Sequence, residues 1–230
     1  MSEFFVPKLD PNCYTFSKVS GHEEVVAWGG DLNPNRLIAA YKSGIFPWFN
    51  EDDPILWWCP NPRCVLFLED IKISKSLKKS LKKFTITYDK DFSSVIRQCR
   101  QVRSSKNEDT WISKDMIKSY ESLHKRGFAH SVETWYEGEL VGGLYGVCMG
   151  KIFCGESMFS KKSDASKVAL VNLVQKLQKF GFELIDCQVS NPHLLSLGAK
   201  EIPKKEFLKK LQIAINQPSG FDEFSQLGNF

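Results

Sequence analysis

The sequence predicts an α+β fold built on a mixed sheet, and three observations carry it. Apolar residues alternate through 130–136, 140–147 and 152–159, with turns at Glu137-Gly-Glu139 and Met149-Gly-Lys151. A helical pattern follows over 164–180, in which Leu170, Leu173, Leu177 and Phe180 recur at spacings of three, four and three before Gly181. A further apolar strand then reads Leu184-Ile-Asp-Cys-Gln-Val189.

Polar residues inside these strands need a reason. Glu156, Asp186 and Gln188 all fall within strand patterns. A buried carboxylate is costly unless it is paired or at work. Strict alternation groups Ile152, Cys154, Glu156 and Met158 on one face, and Phe153, Gly155, Ser157 and Phe159 on the other. It also places Asp186 beside Gln188, with Leu184 on the same face.

Composition excludes several classes. The apolar fraction of 42%, with 17 Phe and 6 Trp, supports a substantial core and argues against disorder. No run of about 18 apolar residues suggests a membrane span, and residues 1–10 show no apolar signal block. Seven dispersed cysteines with no Cys-x-x-Cys pair read as reduced, packed thiols of a cytoplasmic protein. Four scattered histidines supply no metal-ligand set. The net charge of +4 says little by itself, so its placement matters more.

In chain order, Asn33 and Pro34 predict a helix start, with Leu37, Ile38 and Tyr41 inward and Gly44 as its stop. The aromatic stretch from Gly44 to Pro60 forms either a satellite core or a groove whose rings stack on a base. A domain boundary is expected near Pro62, giving a small domain over 1–62 and a larger one over 63–230. The spacing of Ile73, Leu77, Leu81 and Phe84 predicts a helix over 73–84, with lysines on its other faces. A strand at 84–88 and a helix after Asp91 follow. On that helix Arg97, Arg100, Arg103 and Lys106 form a basic stripe, which is either a solvated face or a phosphate-binding surface. Ser113 caps a third helix that Gly127 ends. Asn191-Pro192 and Pro203 open two more, and no pattern places the 216–230 tail.

The meander before the long helix fits an acyltransferase-like fold. No Gly-x-Gly-x-x-Gly loop precedes that helix, so acetyl-coenzyme A has no direct support. A non-catalytic nucleic-acid-binding protein would explain the basic helices but not acids placed in strands.

Longer blocks decide between these readings. They are Trp28-Gly-Gly-Asp-Leu, Tyr41-x-x-Gly-Ile-Phe-Pro-Trp-Phe49, Pro54-Ile-Leu-Trp-Trp58 and Pro62-Arg63. Further on come Thr110-Trp111-Ile112, His130-Ser-Val-Glu133, Gly142-Gly-x-Tyr-Gly146 and Phe153-Cys-Gly-Glu-Ser-Met-Phe-Ser160. The last are Leu184-Ile-Asp-Cys-Gln188, Leu197-Gly-Ala199 and Ile202-Pro203. Together, over about residues 26–207, they resemble the leucyl/phenylalanyl-tRNA–protein transferase family.

The resemblance implies a small N-terminal α/β domain and a C-terminal domain of the GCN5-related acetyltransferase-like fold. It implies transfer of Leu or Phe, and less well Met, from aminoacyl-tRNA to the α-amine of an N-terminal Arg or Lys, marking that protein for N-degron degradation. It implies no cofactor, no metal, no membrane and a monomer. Asp186 is then expected to activate or orient the acceptor, Gln188 to hold and polarise the reacting groups, and Glu156 to hold the donor's amino group. Leu144, Phe153 and Met158, with Ser157 beside them, are expected to contact the donor side chain. Leu144 is a mild departure from the Met common in the family. Trp48, Phe49 and Trp111 are expected to flank the terminal adenine, and Arg97, Arg100 and Lys106 to meet the acceptor stem.

Overall fold

The computed structural model describes residues 8–9, 24–50, 53–104 and 112–219. Two short strands, β1 (Lys8–Leu9) and β2 (Val25–Gly29), lead into α1 (Pro34–Lys42). The Asn33 side chain accepts from the Asn35 amide, and Pro34 takes the first turn, as the sequence anticipates. β3 (Phe46–Pro47) and β4 (Leu56–Trp58) complete a four-stranded sheet in the order β1-β2-β4-β3.

The second sheet begins with β5 (Arg63–Phe67), so the sheets divide between residues 58 and 63. A 3-10 turn over Leu68–Asp70 precedes α2 (Lys75–Ser80). This helix is shorter than the expected 73–84. The Ser74 hydroxyl caps its start, and the chain leaves it to place Thr85 in β6 (Thr85–Tyr88). Then come α3 (Phe92–Ser104), α4 (Lys114–Lys125), β7 (Ala129–Tyr136), β8 (Glu139–Met149) and β9 (Ile152–Ser160). The chain continues with α5 (Ala165–Lys179), β10 (Leu184–Gln188), α6 (Pro192–Ser196), β11 (Lys200–Ile202) and α7 (Lys204–Ala214).

These strands make a seven-stranded sheet in the order β11-β5-β10-β9-β8-β7-β6. β9 and β10 run parallel across the α5 connection, whereas the other neighbours are antiparallel. The α+β class with a mixed sheet therefore holds. One face carries α3, α4 and the first-sheet core around Leu37, Tyr41 and Trp57. The other face carries α5 and α2. Burial on both sides explains why β8 is apolar almost throughout.

One irregularity sets the site. Tyr145 pairs with Ser157, but Gly146 pairs with Gly155, so Glu156 is the extra residue of a bulge in β9. Strict alternation fails there. Ile152 and Cys154 face the α3/α4 side, yet beyond the bulge Phe159 faces it and Met158 joins Phe153 on the α5 side. Gly146 permits this close packing: a Cβ there would sit 2.3 Å from the Cys154 carbonyl oxygen and 2.4 Å from the Phe153 ring. We expect Gly146→Ala to destabilise the fold by about 1–3 kcal/mol in urea unfolding, the usual range for forcing atoms into a packed core. Unaltered stability would mean that the bulge has room to spare.

Candidate active site

β9 and β10 pair from Ile152–Leu184 to Cys154–Asp186 and then part. Past that point β9 bulges at Glu156, while β10 loses register with β5 and carries Gln188 at φ 58°. A left-handed glutamine is uncommon and marks a constrained position. Between the parted strands lies a cavity of about 340 Å³. Leu144, Phe153, Met158, Leu170, Leu173 and Ile185 give it apolar walls; Glu156, Gln188 and Asn191 supply polar groups; Phe46 and Trp48 reach it from the first sheet.

Glu156 is half-buried and richly bonded. It accepts from the Tyr41 hydroxyl at 2.7 Å, the Tyr120 hydroxyl at 3.1 Å and Gln188 Nε2 at 3.4 Å. The two tyrosine oxygens lie 2.5 Å apart. Burial pushes the Glu156 carboxyl up to about 7, against the hydrogen bonds from both tyrosines, which pull it down. Both phenols are raised well above their ordinary value, first by burial and then by the Glu156 charge, so they remain donors. Tyr41 comes from α1, Tyr120 from α4 and Gln188 from β10, so this carboxylate ties three distant pieces of chain together.

Asp186 has a different setting. It is 1% exposed, and Arg63 Nε and Nη2 donate to its two oxygens at 2.7 and 2.6 Å. The Gln188 amide also donates to it, at 3.0 Å. The guanidinium lies over the Phe46 and Phe207 rings, with centroids 5.0 and 4.5 Å away. A fixed internal cation, Arg63, thus bonds both oxygens of Asp186.

Of the other sequence-derived candidates, Leu144, Phe153, Ser157, Met158 and Trp48 line the cavity. Ser157 is buried, and its hydroxyl has no hydrogen-bond partner among the described residues. Phe49 is half-buried against the core and is not part of the cavity wall. Arg97 is exposed and bonds Glu121 at 2.8 Å, which ties it to α4; Arg100 is half-buried on α3. Trp111 and Lys106 lie outside the described residues.

Sequence reasoning missed Arg63, Tyr41 and Tyr120 as site residues. Arg63 carried a signal, since a charged residue directly precedes the apolar run Cys64-Val-Leu-Phe-Leu68. By helical spacing both tyrosines read simply as core, although Tyr41 opens one of the family blocks.

Residues 65–212 match the family model described as leucyl/phenylalanyl-tRNA protein transferase, and residues 30–61 match that family's N-terminal domain. The chain is 56% identical over 194 residues to the leucyl/phenylalanyl-tRNA–protein transferase of Nitrosospira multiformis, covering 84% of this chain and 83% of that one. It is 50% identical over 208 residues to that of Sulfurimonas denitrificans, covering 90% and 91%. Among solved structures, L-PGS from Bacillus licheniformis is similar at a TM-score of 0.40 and 14% identity, over 67% of this chain and 50% of that one. The family blocks run through the strands that carry Glu156, Arg63, Asp186 and Gln188, and the chain belongs to the leucyl/phenylalanyl-tRNA protein transferase family, enzymes that pass Leu or Phe from tRNA to protein.

Proposed function

We propose that the cavity between β9 and β10 receives the donor's Leu or Phe side chain, and that Glu156 binds the donor's free amino group. The observation that carries this reading is a raised, tyrosine-held carboxylate facing an apolar cavity of one side chain's size. Leu144, Phe153, Met158 and Ile185 supply the walls, and their shape favours unbranched Cβ over Val or Ile by about 1–3 kcal/mol. Trp48 at the mouth suits the terminal adenine, with Phe49 and Trp111 as further flanking rings and Arg97, Arg100 and Lys106 toward the acceptor stem. Met is the weaker donor in this reading. The acceptor is an N-terminal Arg or Lys, which makes the product an N-degron. The parallel pair that splays at its end favours placing the large domain among GCN5-related acetyltransferase-like folds, with the small domain over 1–62.

The reaction needs little beyond placement. The aminoacyl ester is already activated, so the acceptor attacks as a neutral amine. The new C–N bond forms, the ester C–O bond breaks, and the ribose oxygen leaves with the proton that the nitrogen sheds. Holding amine and carbonyl within about 3–3.5 Å supplies most of the acceleration. Gln188, an amide and therefore a very weak base, orients and polarises. Asp186 acts through Gln188: it accepts from that residue's backbone N–H while Arg63 balances its charge.

An Arg-starting peptide incubated with Leu-tRNA and the full chain should gain the mass of one leucine residue, and with acetyl-coenzyme A should gain nothing. An acetyl product would place the chain with a different donor.

Protonation of Glu156 sets the pH response. Its folded pKa is raised, so the carboxyl is neutral below about 7 and charged above. Its contribution to folding is therefore fully present below the ordinary value of 4.5 and is lost as pH rises through about 7. Binding a cationic donor amine reverses that loss, so donor capture should strengthen as pH rises through about 7. Tyr41→Phe removes a hydrogen bond that holds the pKa down, so the midpoint of single-turnover leucine transfer should move to higher pH. An unmoved midpoint would separate Glu156 from the donor.

The buried pair gives a stability test. Asp186→Asn leaves Arg63 charged and unbalanced, so unfolding stability should fall by about 3–5 kcal/mol. Replacing both partners, as Arg63→Met with Asp186→Leu, should restore part of that stability but not transfer. An Asp186→Asn protein of parental stability would mean that the carboxylate is not needed to balance Arg63.

A further inference from the structure

Cys64 and Cys187 sit at the open end of the parallel pair, and the transfer chemistry uses neither. Cys64 is on β5 and Cys187 on β10, which pair antiparallel with Val65 opposite Asp186 and Cys64 opposite Gln188. The register shift between Asp186 and Gln188 leaves Cys187 beside Cys64 with no partner of its own in the ladder. Both side chains belong to the apolar cluster on the α5 side. Cys64 is sealed, whereas Cys187 is 9% exposed and forms part of the cavity wall. The neighbouring Cys187 side chain holds the Cys64 pKa below its ordinary value, while the same contact and burial raise the Cys187 thiol well above its own; in the structure Cys187 Sγ donates to the Ile185 carbonyl at 3.8 Å. Cys148 and Cys154, although closer in sequence, face opposite sides of the sheet and cannot meet in this way.

We propose that Cys64 and Cys187 form a modification site for a peroxide-class oxidant, which enters through the donor cavity and converts the pair to a disulfide that shuts off transfer. In the first step Cys187, the thiol that the cavity exposes, attacks the peroxide as it gives up its proton; the O–O bond breaks, the departing hydroxide takes that proton as one water, and a sulfenic acid is left on Cys187. The Cys64 thiolate then attacks that sulfur, the S–O bond breaks, and the hydroxide leaves as a second water. One peroxide takes the two electrons that the two thiols give up. The new bond ties β10 to β5 at the residue between Asp186 and Gln188. It draws the cavity wall toward β5 and displaces Gln188 from Glu156, and displacements on the order of 1 Å suffice to cost a rate heavily. The consequence for transfer rests on the reading of this cavity as the donor site; the disulfide itself does not.

The test uses the reduced full chain treated with hydrogen peroxide. Its intact mass should fall by two hydrogens, and peptide mapping should join the Cys64 and Cys187 peptides. Leucine transfer should fall by about tenfold or more and return with dithiothreitol. Cys64→Ala should transfer like the parent before oxidation, form no link, and leave a sulfenic acid on Cys187 that a dimedone probe labels. Absence of the Cys64–Cys187 link in the oxidised parent, or a link with undiminished transfer, would overturn the proposal. Peptide mapping judges the site even if the reduced chain transfers no leucine at all, and that second failure would count against the donor-site reading instead.

Discussion

The ion pair between Arg63 and Asp186 is the constraint on which the site depends. It joins the first residue of β5 to the residue at which β9 and β10 cease to pair. Both partners are buried, so neither can be left without the other. The guanidinium also rests between Phe46 of the first sheet and Phe207 of α7, which brings the two sheets and the last helix to one point. With Asp186 held in this way, its Oδ1 also accepts from the Gln188 backbone N–H, and the left-handed turn there aims the glutamine side chain at Glu156. The arrangement spends a buried charge pair, rarely the cheapest way to stabilise a core, on fixing one backbone position.

Glu156 is the complementary element. A carboxylate in this setting would ordinarily neutralise itself by taking a proton, and burial pushes it in that direction. Two phenols counter the push, so the group is balanced near neutral pH instead of being locked in either state. Because Tyr41 belongs to the small sheet's helix and Tyr120 to α4, the charge balance of the cavity depends on the correct docking of both. This brings the helix of the first sheet into direct contact with a polar group of a cavity walled mainly by the second sheet and α5.

By itself the sequence determined much of the architecture. Helix starts at Asn33, Ser113 and Asn191 follow from side chains that satisfy free amide groups, a local matter. The meander, the long helix and the returning strand follow from apolar periodicity and from glycine turns at residues 138, 150 and 181. Glu156, Asp186 and Gln188 stood out because polar residues in buried strands require compensation. Only the tertiary structure decided what that compensation is. The bulge at Glu156 breaks the period of two, and no local pattern announces it, because it depends on how β8 packs against β9 across Gly146. It moves Met158 onto the face of Phe153 and so makes the apolar wall. The partner of Asp186 lies 123 residues earlier in the chain, and the hydroxyls that hold Glu156 lie 115 and 36 residues away. Contacts at such separations arise from the order of strands in the sheet, which one-dimensional spacing does not encode.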